Sequence, residues 1–321
     1  MEQREKIGQL RREIERALLP LIDRDYVLFG LPYYNNIGDT LIWEGELSLL
    51  NQVPYRCIGQ CGWNKYPETP ITDKNTLILI TGGGYMGDTW PKAWMQVLDC
   101  LQKNPQNKII LLPNTLYYAD RALAAADAEI LNRCEDLTLC MRDSRSMQLA
   151  REYFPDVKSI LVPDMAFCIN PDYLNKWKVT SSGKDLLLKR LDKELSDTPI
   201  PDALAGVDCE VRDWPTMERL LDGEKWFLRV LRRVDRLGNR FPSLKSWRDS
   251  MYKIWYRPMM TKIGVEFVSS YEKIYTTRLH VMILSILLGK EVYLIDNSYG
   301  KLSTFYHTWL EDCQDTHISQ Q

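Results

Sequence analysis

Between Tyr26 and Leu161, short apolar runs alternate with longer segments of helical periodicity, and few architectures accept such a pattern. Tyr26–Phe29, Thr76–Ile80, Lys108–Leu112, Leu137–Met141 and Lys158–Leu161 read as strands. Asp120–Arg133 and Asp143–Ala150 read as intervening helices, the second capped by Asp143 or Ser144. Strand–helix–strand units in series build a parallel sheet. A second alternation begins with Asp185–Lys189 and resumes at Val265–Val268, Lys273–Thr277 and Glu291–Ile295, with Val281–Leu288 as the helix between the last two. The two sets part within Pro163–Gly183, which is rich in turn-forming residues. The expected fold is α/β, with two Rossmann-like lobes facing a central cleft: residues 1–165, including a leading helix, and residues 166–321.

Open α/β sheets bind ligands at the carboxyl edge of their strands. Asn36-Ile37-Gly38-Asp39 lies beyond the run Tyr26–Phe29, and Gly82-Gly83-Gly84 beyond Thr76–Ile80, so both turns are expected there. A glycine triplet is either a tight turn or a place where backbone amides meet a ligand unobstructed by Cβ. The following Tyr85-Met86-Gly87-Asp88, read as a polar loop at the same edge, favours the ligand. Arg142 ends the run Leu137–Met141 and should reach the cleft. The other half of the chain brings Thr277-Arg278-Leu279-His280 and Asp296-Asn297-Ser298-Tyr299-Gly300-Lys301. A guanidinium fork, an imidazole that titrates near neutral pH and a lysine suit an anionic ligand carrying phosphate or carboxylate. His307 and His317 read as surface groups. Asp39, Asp88 and Asp164 sit at comparable edges, but no His/Asp/Glu spacing selects a metal, so capping or binding of hydroxyls is the expectation. Arg190-Leu191-Asp192-Lys193-Glu194 is either a cleft element or a solvated helix or turn.

Global disorder is excluded by 45% hydrophobic content over 321 residues. Met1–Arg24 is too charged for a signal peptide, and Ile7, Leu10, Ile14, Leu18 and Leu21 follow helical spacing, which predicts a packed leading helix. The longest strongly apolar run, Val281–Leu288, falls far short of the roughly 20 residues that span a bilayer, so a cytoplasmic protein is expected. The eight cysteines lack the twin Cys-x-x-Cys spacing of a zinc site; Cys57 and Cys61 either pair or remain reduced thiols.

One region departs from the alternation. Glu224–Lys262 holds eleven Lys or Arg and three Asp or Glu, a local charge of +8 in a chain of net −2. Trp226, Phe227, Val230, Leu231 and Val234 share one helical face, with Lys225, Arg229, Arg232, Arg233 and Arg236 on the other side. After a break at Gly238 and Pro242, Trp247, Met251, Ile254 and Trp255 form a second apolar stripe. This helical insertion of the second lobe, about residues 216–262, suits an anionic membrane surface or packs on its lobe with a solvated basic face.

The ordered series Asn36-x-Gly38-Asp39, Gly82-Gly83-Gly84 with Asp88, Leu112-Pro113-Asn114-Thr115, Met141-Arg142-Asp143-x-x-Ser146, Pro163-Asp164-Met165-Ala166-Phe167, Arg278-Leu279-His280 and Asp296-Asn297-Ser298-Tyr299-Gly300-Lys301 resembles the polysaccharide pyruvyltransferases. The two-lobed arrangement also resembles the GT-B-type glycosyltransferases. The pyruvyltransferase resemblance implies transfer of a carboxyethylidene group from phosphoenolpyruvate to two hydroxyls of one sugar, forming a cyclic ketal and releasing phosphate, with no cofactor. It implies donor contacts from Arg142, Arg278, Leu279, His280, Lys301, Gly83 and Gly84, with His280 and Arg278 catalytic. Acceptor or cleft positions are then Asn36, Gly38, Asp39, Asp88, Asn114, Asp164, Arg190, Asn297, Ser298 and Tyr299. The family often has glutamine where Asn114 stands. The acceptor implied is a saccharide of a cell-surface or exopolysaccharide precursor, lipid-linked, which would place the enzyme at the inner face of the cytoplasmic membrane. The rivals are a nucleotide-sugar glycosyltransferase and a non-enzymatic membrane scaffold; no nucleic-acid motif accompanies the basic segment.

Overall fold

The computed structural model describes residues 1–189, 209–215, 222–237, 242–295 and 300–318. The first part runs α1 (Gln3–Leu18), β1 (Tyr26–Leu31), α2 (Ile37–Leu50), β2 (Cys57–Gly62), β3 (Leu77–Ile80), β4 (Gly83–Gly87), α3 (Pro91–Lys103), β5 (Lys108–Tyr117), α4 (Arg121–Leu131), β6 (Asp136–Met141), α5 (Ser144–Tyr153) and β7 (Lys158–Leu161). Its strands form a parallel sheet in the order β2-β1-β3-β5-β6-β7, with β4 paired to β5. After a 3-10 turn at Met165–Cys168 come α6 (Pro171–Asn175), β8 (Asp185–Leu188), β9 (Cys209–Arg212), α7 (Asp222–Leu237), α8 (Pro242–Met251), a π-helical stretch Tyr252–Tyr256, α9 (Arg257–Ser269), β10 (Ile274–Thr276), α10 (Leu279–Leu287), β11 (Val292–Leu294), α11 (Lys301–Trp309) and β12 (Thr316–Ile318). These strands form a second parallel sheet, β12-β11-β10-β8-β9.

In each sheet the chain moves outward from its first strand on one side and then on the other, so strand order reverses between β1 and β3 and again between β8 and β10. Loops leaving the carboxyl ends at such a reversal part to opposite faces and leave a crevice.

Strands of the first sheet are apolar on both faces because both are covered. Leu28, Leu79, Ile110 and Leu112 enter one core, while Val27, Phe29, Ile78, Ile80, Ile109 and Leu111 enter another that contains Trp94 and Val97 of α3 and Met147 and Ala150 of α5. The former core continues without interruption through α1, α2, α9 and α10 to Leu186 and Leu188 of β8 and Val292 of β11. The two sheets therefore share an apolar interior. An Arg257–Glu44 ion pair joins α9 to α2, and Lys6 of α1 reaches Asp312 at 2.6 Å. Ile7, Leu10, Ile14 and Leu18 of the leading helix are buried as their spacing predicts.

Val265–Val268, expected as a strand, is the last part of α9. A four-residue apolar run is equally compatible with a buried helix, and the choice falls to what packs against it. Residues 83–87, read as turn and polar loop, form strand β4 because their backbone finds β5 beside it. In the basic segment Leu231 of the first stripe and its neighbour Leu228 are buried and Phe227 packs against Trp255 at 4.4 Å, whereas Trp226 and Trp247, assigned to the apolar stripes, are exposed. The segment also reaches the first sheet's loops: Tyr252 stacks on Tyr33 at 4.0 Å, and the Tyr256 hydroxyl donates to Asn35 Oδ1. Ile254, assigned to the second stripe, lies instead on the surface within the π-helical stretch, whose wider winding shifts the register of the face. All eight cysteines are free thiols, so the Cys57–Cys61 pairing does not form.

Candidate active site

The carboxyl ends of β1, β3, β6 and β10 surround a cavity of about 650 Å³. Asn36 places α2 at its wall: the Asn36 side chain accepts from the Asp39 backbone amide at 3.3 Å and so caps the helix. The α10 helix begins at the opposite wall with Arg278 as its N-cap, and no side-chain cap bonds its first turn. Amides of a first helical turn have no intrahelical acceptor, so an uncapped N-terminus on a cavity favours an anion.

Arg142 is buried and fixed from two sides. Its Nε donates to Thr115 Oγ1 and its Nη1 to Asp164 Oδ2, both at 2.8 Å. A Cβ on Gly84 would stand 3.1 Å from Nη2, so the lack of a side chain at Gly84 keeps that end of the fork open to the cavity. His280 Nε2 lies 3.4 Å from the same Asp164 oxygen, within ion-pair range but without a hydrogen bond. The other side of the ring rests on Gly38, where a Cβ would come within 2.6 Å of Nδ1. Asp164 is fully buried. Burial, its largest single influence, would raise the pKa, but attraction from His280 and Arg142 and a bond from the Ala166 amide reverse this and hold the carboxyl below the usual range. Asp164 is therefore a counter-ion beneath Arg142 and His280, set back from the cavity wall.

Arg278 lies on the wall, and its Nε and Nη2 donate to Asp213 Oδ1 and Oδ2 at 2.7 and 2.6 Å. The bidentate pair fixes the plane of the guanidinium. Leu279, Thr277 and His280 complete that wall.

Asp39 faces the cavity between the helices. Tyr34 and Asn36 both donate to its Oδ2 at 2.7 Å, while Oδ1 accepts no hydrogen bond from the described residues. Behind it, Glu46 accepts from Thr81 Oγ1 at 2.7 Å and from the Gly82 amide at 2.8 Å, which fixes the glycine turn. Burial raises Glu46 to about 8, with the charges of Asp164 and Asp39 adding to the shift.

The remaining sequence candidates divide. Gly82 and Gly84 line the cavity, whereas Gly83 pairs with Asn114 in the β4–β5 register. Asn114 is buried, with Nδ2 donating to Leu112 O at 3.1 Å. Asp88 accepts from the Ala119 and Asp120 amides, pinning a loop away from the cavity wall. Arg190, Asn297, Ser298 and Tyr299 lie outside the described residues, as does the side chain of Lys301, whose backbone opens α11.

Sequence reasoning missed Glu46, Asp213, Lys92 and the aromatic groups of the wall, Tyr34, Trp63, Tyr66, Trp90 and Trp214. Glu46 was findable: it stands seven residues after Asp39, on the same helical face, amid apolar neighbours. Asp213 carries no local signal; it meets Arg278 across 65 residues.

A sequence model described as polysaccharide pyruvyl transferase matches residues 36–254. The chain belongs to this family. A Bacillus subtilis protein, EpsO, whose name gives pyruvyl transferase as a provisional assignment, is 28% identical over all of this chain and 96% of its own length. Pyruvyl transferase 1 of Schizosaccharomyces pombe is 25% identical over 89% of this chain and 70% of its own. A crystal structure of a functionally uncharacterised Klebsiella pneumoniae protein shares the fold, with a TM-score of 0.61, 17% identity and coverage of 97% of this chain and 99% of the other. In this pyruvyl transferase the matched segment opens at Asn36, the cap of α2, and includes Arg142, Asp164 and Asp213. Arg278 and His280 fall beyond it, yet the fold brings them to the same cavity.

Proposed function

We propose that this pyruvyltransferase uses phosphoenolpyruvate as donor and forms a cyclic ketal on two hydroxyls of a saccharide. The observation that carries the reading is the convergence of Arg142, Arg278, His280 and the uncapped end of α10 on one cavity that also holds the open Oδ1 of Asp39. The donor's phosphate and carboxylate need two fixed cations, and Arg142 and Arg278 are each held by a carboxylate partner. His280 acts as proton source at the donor: the methylene carbon gains a proton and becomes a methyl group as a sugar hydroxyl adds to C2. Asp39 Oδ1 accepts the hydroxyl proton. Cleavage of the C2–O bond then releases phosphate, and the second hydroxyl adds to C2 as its proton passes to the now neutral His280, closing the ketal.

Two parallel sheets joined by one core support a two-lobed GT-B-type reading, in which a glycosyltransferase would use the same crevice for a nucleotide sugar. Thermal-shift titration separates the two readings. Phosphoenolpyruvate should stabilise the wild type and not Arg142→Ala or Arg278→Ala, while nucleotide sugars leave all three unchanged. Stabilisation by a nucleotide sugar alone refutes the proposal. His280→Gln should still bind the donor but release phosphate about 10²–10⁴-fold more slowly.

A lipid-linked acceptor would bring the enzyme to the cytoplasmic leaflet. No helix among the described residues is long and apolar enough to cross a membrane. The surface that supports peripheral contact is the basic segment, where Trp226 is 62% and Ile254 63% exposed near the exposed cations Arg229, Arg233 and Lys253.

A further inference from the structure

Lys92, in the first turn of α3, also lines the cavity, but the groups assigned to the donor, Arg142, Arg278 and His280, come from β6 and the start of α10. Arg142 follows β6, whereas Trp63 follows β2, four strand positions away in the sheet; at about 4.8 Å per strand this separates their backbones by roughly 19 Å. The β2 end is aromatic. Trp63 meets Tyr34 edge to face at 6.1 Å, its backbone amide is tied to Leu31 O, and Tyr66 packs on Phe29 at 5.6 Å. Trp90, at the start of α3, is more than one-third exposed and lines the same cavity. Indole and phenol faces held open to solvent inside a crevice are costly unless a ligand with an apolar face covers them.

We propose that Trp63, Tyr34 and Trp90 form the acceptor subsite and stack a pyranose ring. A pyranose offers a face of C–H bonds to an aromatic plane while its hydroxyls project from the rim. Tyr34 couples this shelf to the chemistry, because its ring meets Trp63 and its hydroxyl donates to Asp39 Oδ2. A sugar resting on the shelf thus presents its edge to Asp39 Oδ1 and to the donor end beyond. The cavity then divides the substrates: the donor anion beside Arg142 and Arg278, the ring on the aromatic shelf.

This inference rests on the pyruvyltransferase reading and is tested separately from it. Saturation-transfer NMR on the full chain with methyl β-pyranosides of galactose, glucose and mannose should show transfer to C–H protons of at least one of them. The signal should persist in Arg278→Ala and disappear in Trp63→Ala and Trp90→Ala, while Trp63→Phe, which keeps an aromatic face, retains part of it. Phosphoenolpyruvate should stabilise the tryptophan variants as it does the wild type, which shows that they are folded. In turnover, KM for the acceptor should rise about tenfold with KM for phosphoenolpyruvate unchanged. Absence of transfer to every pyranoside in the wild type, or equal transfer in Trp63→Ala and Trp90→Ala, overturns the subsite and leaves the donor site standing. Loss of donor stabilisation in the wild type overturns the pyruvyltransferase reading instead.

Discussion

Gly38→Ala places a methyl group where the His280 ring now lies. The added Cβ would sit 2.6 Å from Nδ1 and 3.1 Å from both Cβ and Cγ of His280, against ordinary contacts of about 3.5 Å or more. The ring must retreat by about 1 Å, away from α2. On stability two effects oppose each other. Alanine gains up to about 1 kcal/mol over glycine in a helix, and Gly38 lies in the first turn of α2. Overpacking costs about 1–3 kcal/mol. The net loss should be small, about 0–2 kcal/mol, while a displacement of about 1 Å in a reacting group costs on the order of 10²-fold in rate. Gly38→Ala should thus be folded, bind phosphoenolpyruvate and turn over about one-hundredth as fast. Urea unfolding, donor thermal shift and steady-state phosphate release measure the three quantities. A folded Gly38→Ala with wild-type kcat would refute both the packing argument and the role of His280.

Asp164→Asn leaves the buried Arg142 charge without its anionic partner and should destabilise the protein by about 3–5 kcal/mol, read by urea denaturation. Because the Asp164 pKa is lowered on folding, its stabilisation is present above the unfolded carboxylate value and is lost as pH falls through the folded one; the variant should flatten the acid limb of the stability profile. Glu46 has the opposite sign. Its folded value, raised to about 8, contributes stability that is complete below the unfolded value near 4.5 and fades as pH rises to about 8, so Glu46→Gln should weaken that decline; an unchanged slope between these limits contradicts the raised value. The basic surface predicts co-sedimentation with anionic but not neutral vesicles, weakened by salt and by combined Trp226→Ser, Arg229→Ser and Arg233→Ser; equal binding by this variant would remove that surface from consideration.

Local sequence was sufficient where one element decides its own state. Apolar runs of matched length between helical segments specify β1, β3, β5, β6 and β7, and the caps Asp120 and Asp143 mark where helices begin. The rule that ligands gather at strand carboxyl ends then brings Asn36 and Arg142 to that edge of the first sheet and Arg278 and His280 to that edge of the second before any contact is known. It fails for Val265–Val268, whose composition fits helix and strand alike, and for β4, whose hydrogen bonds come entirely from β5. Asp88 and Asp164 illustrate the same limit at the site: identical carboxylates near comparable edges, one spent on loop amides and the other buried under two cations.

The sequence by itself determined the parallel α/β character, the cationic groups and the strand ends at which each lies, because periodicity, helix capping and side-chain charge are properties of neighbouring residues. Only the tertiary structure decided that Asp213 brackets Arg278, that Glu46 fixes the glycine turn, that His280 lies against Gly38, and that aromatic groups from separate loops line the far wall. Those outcomes depend on distances between residues far apart in the chain and on how completely each is removed from water. Both are set by the shared core that joins the two sheets, and no single segment carries that information.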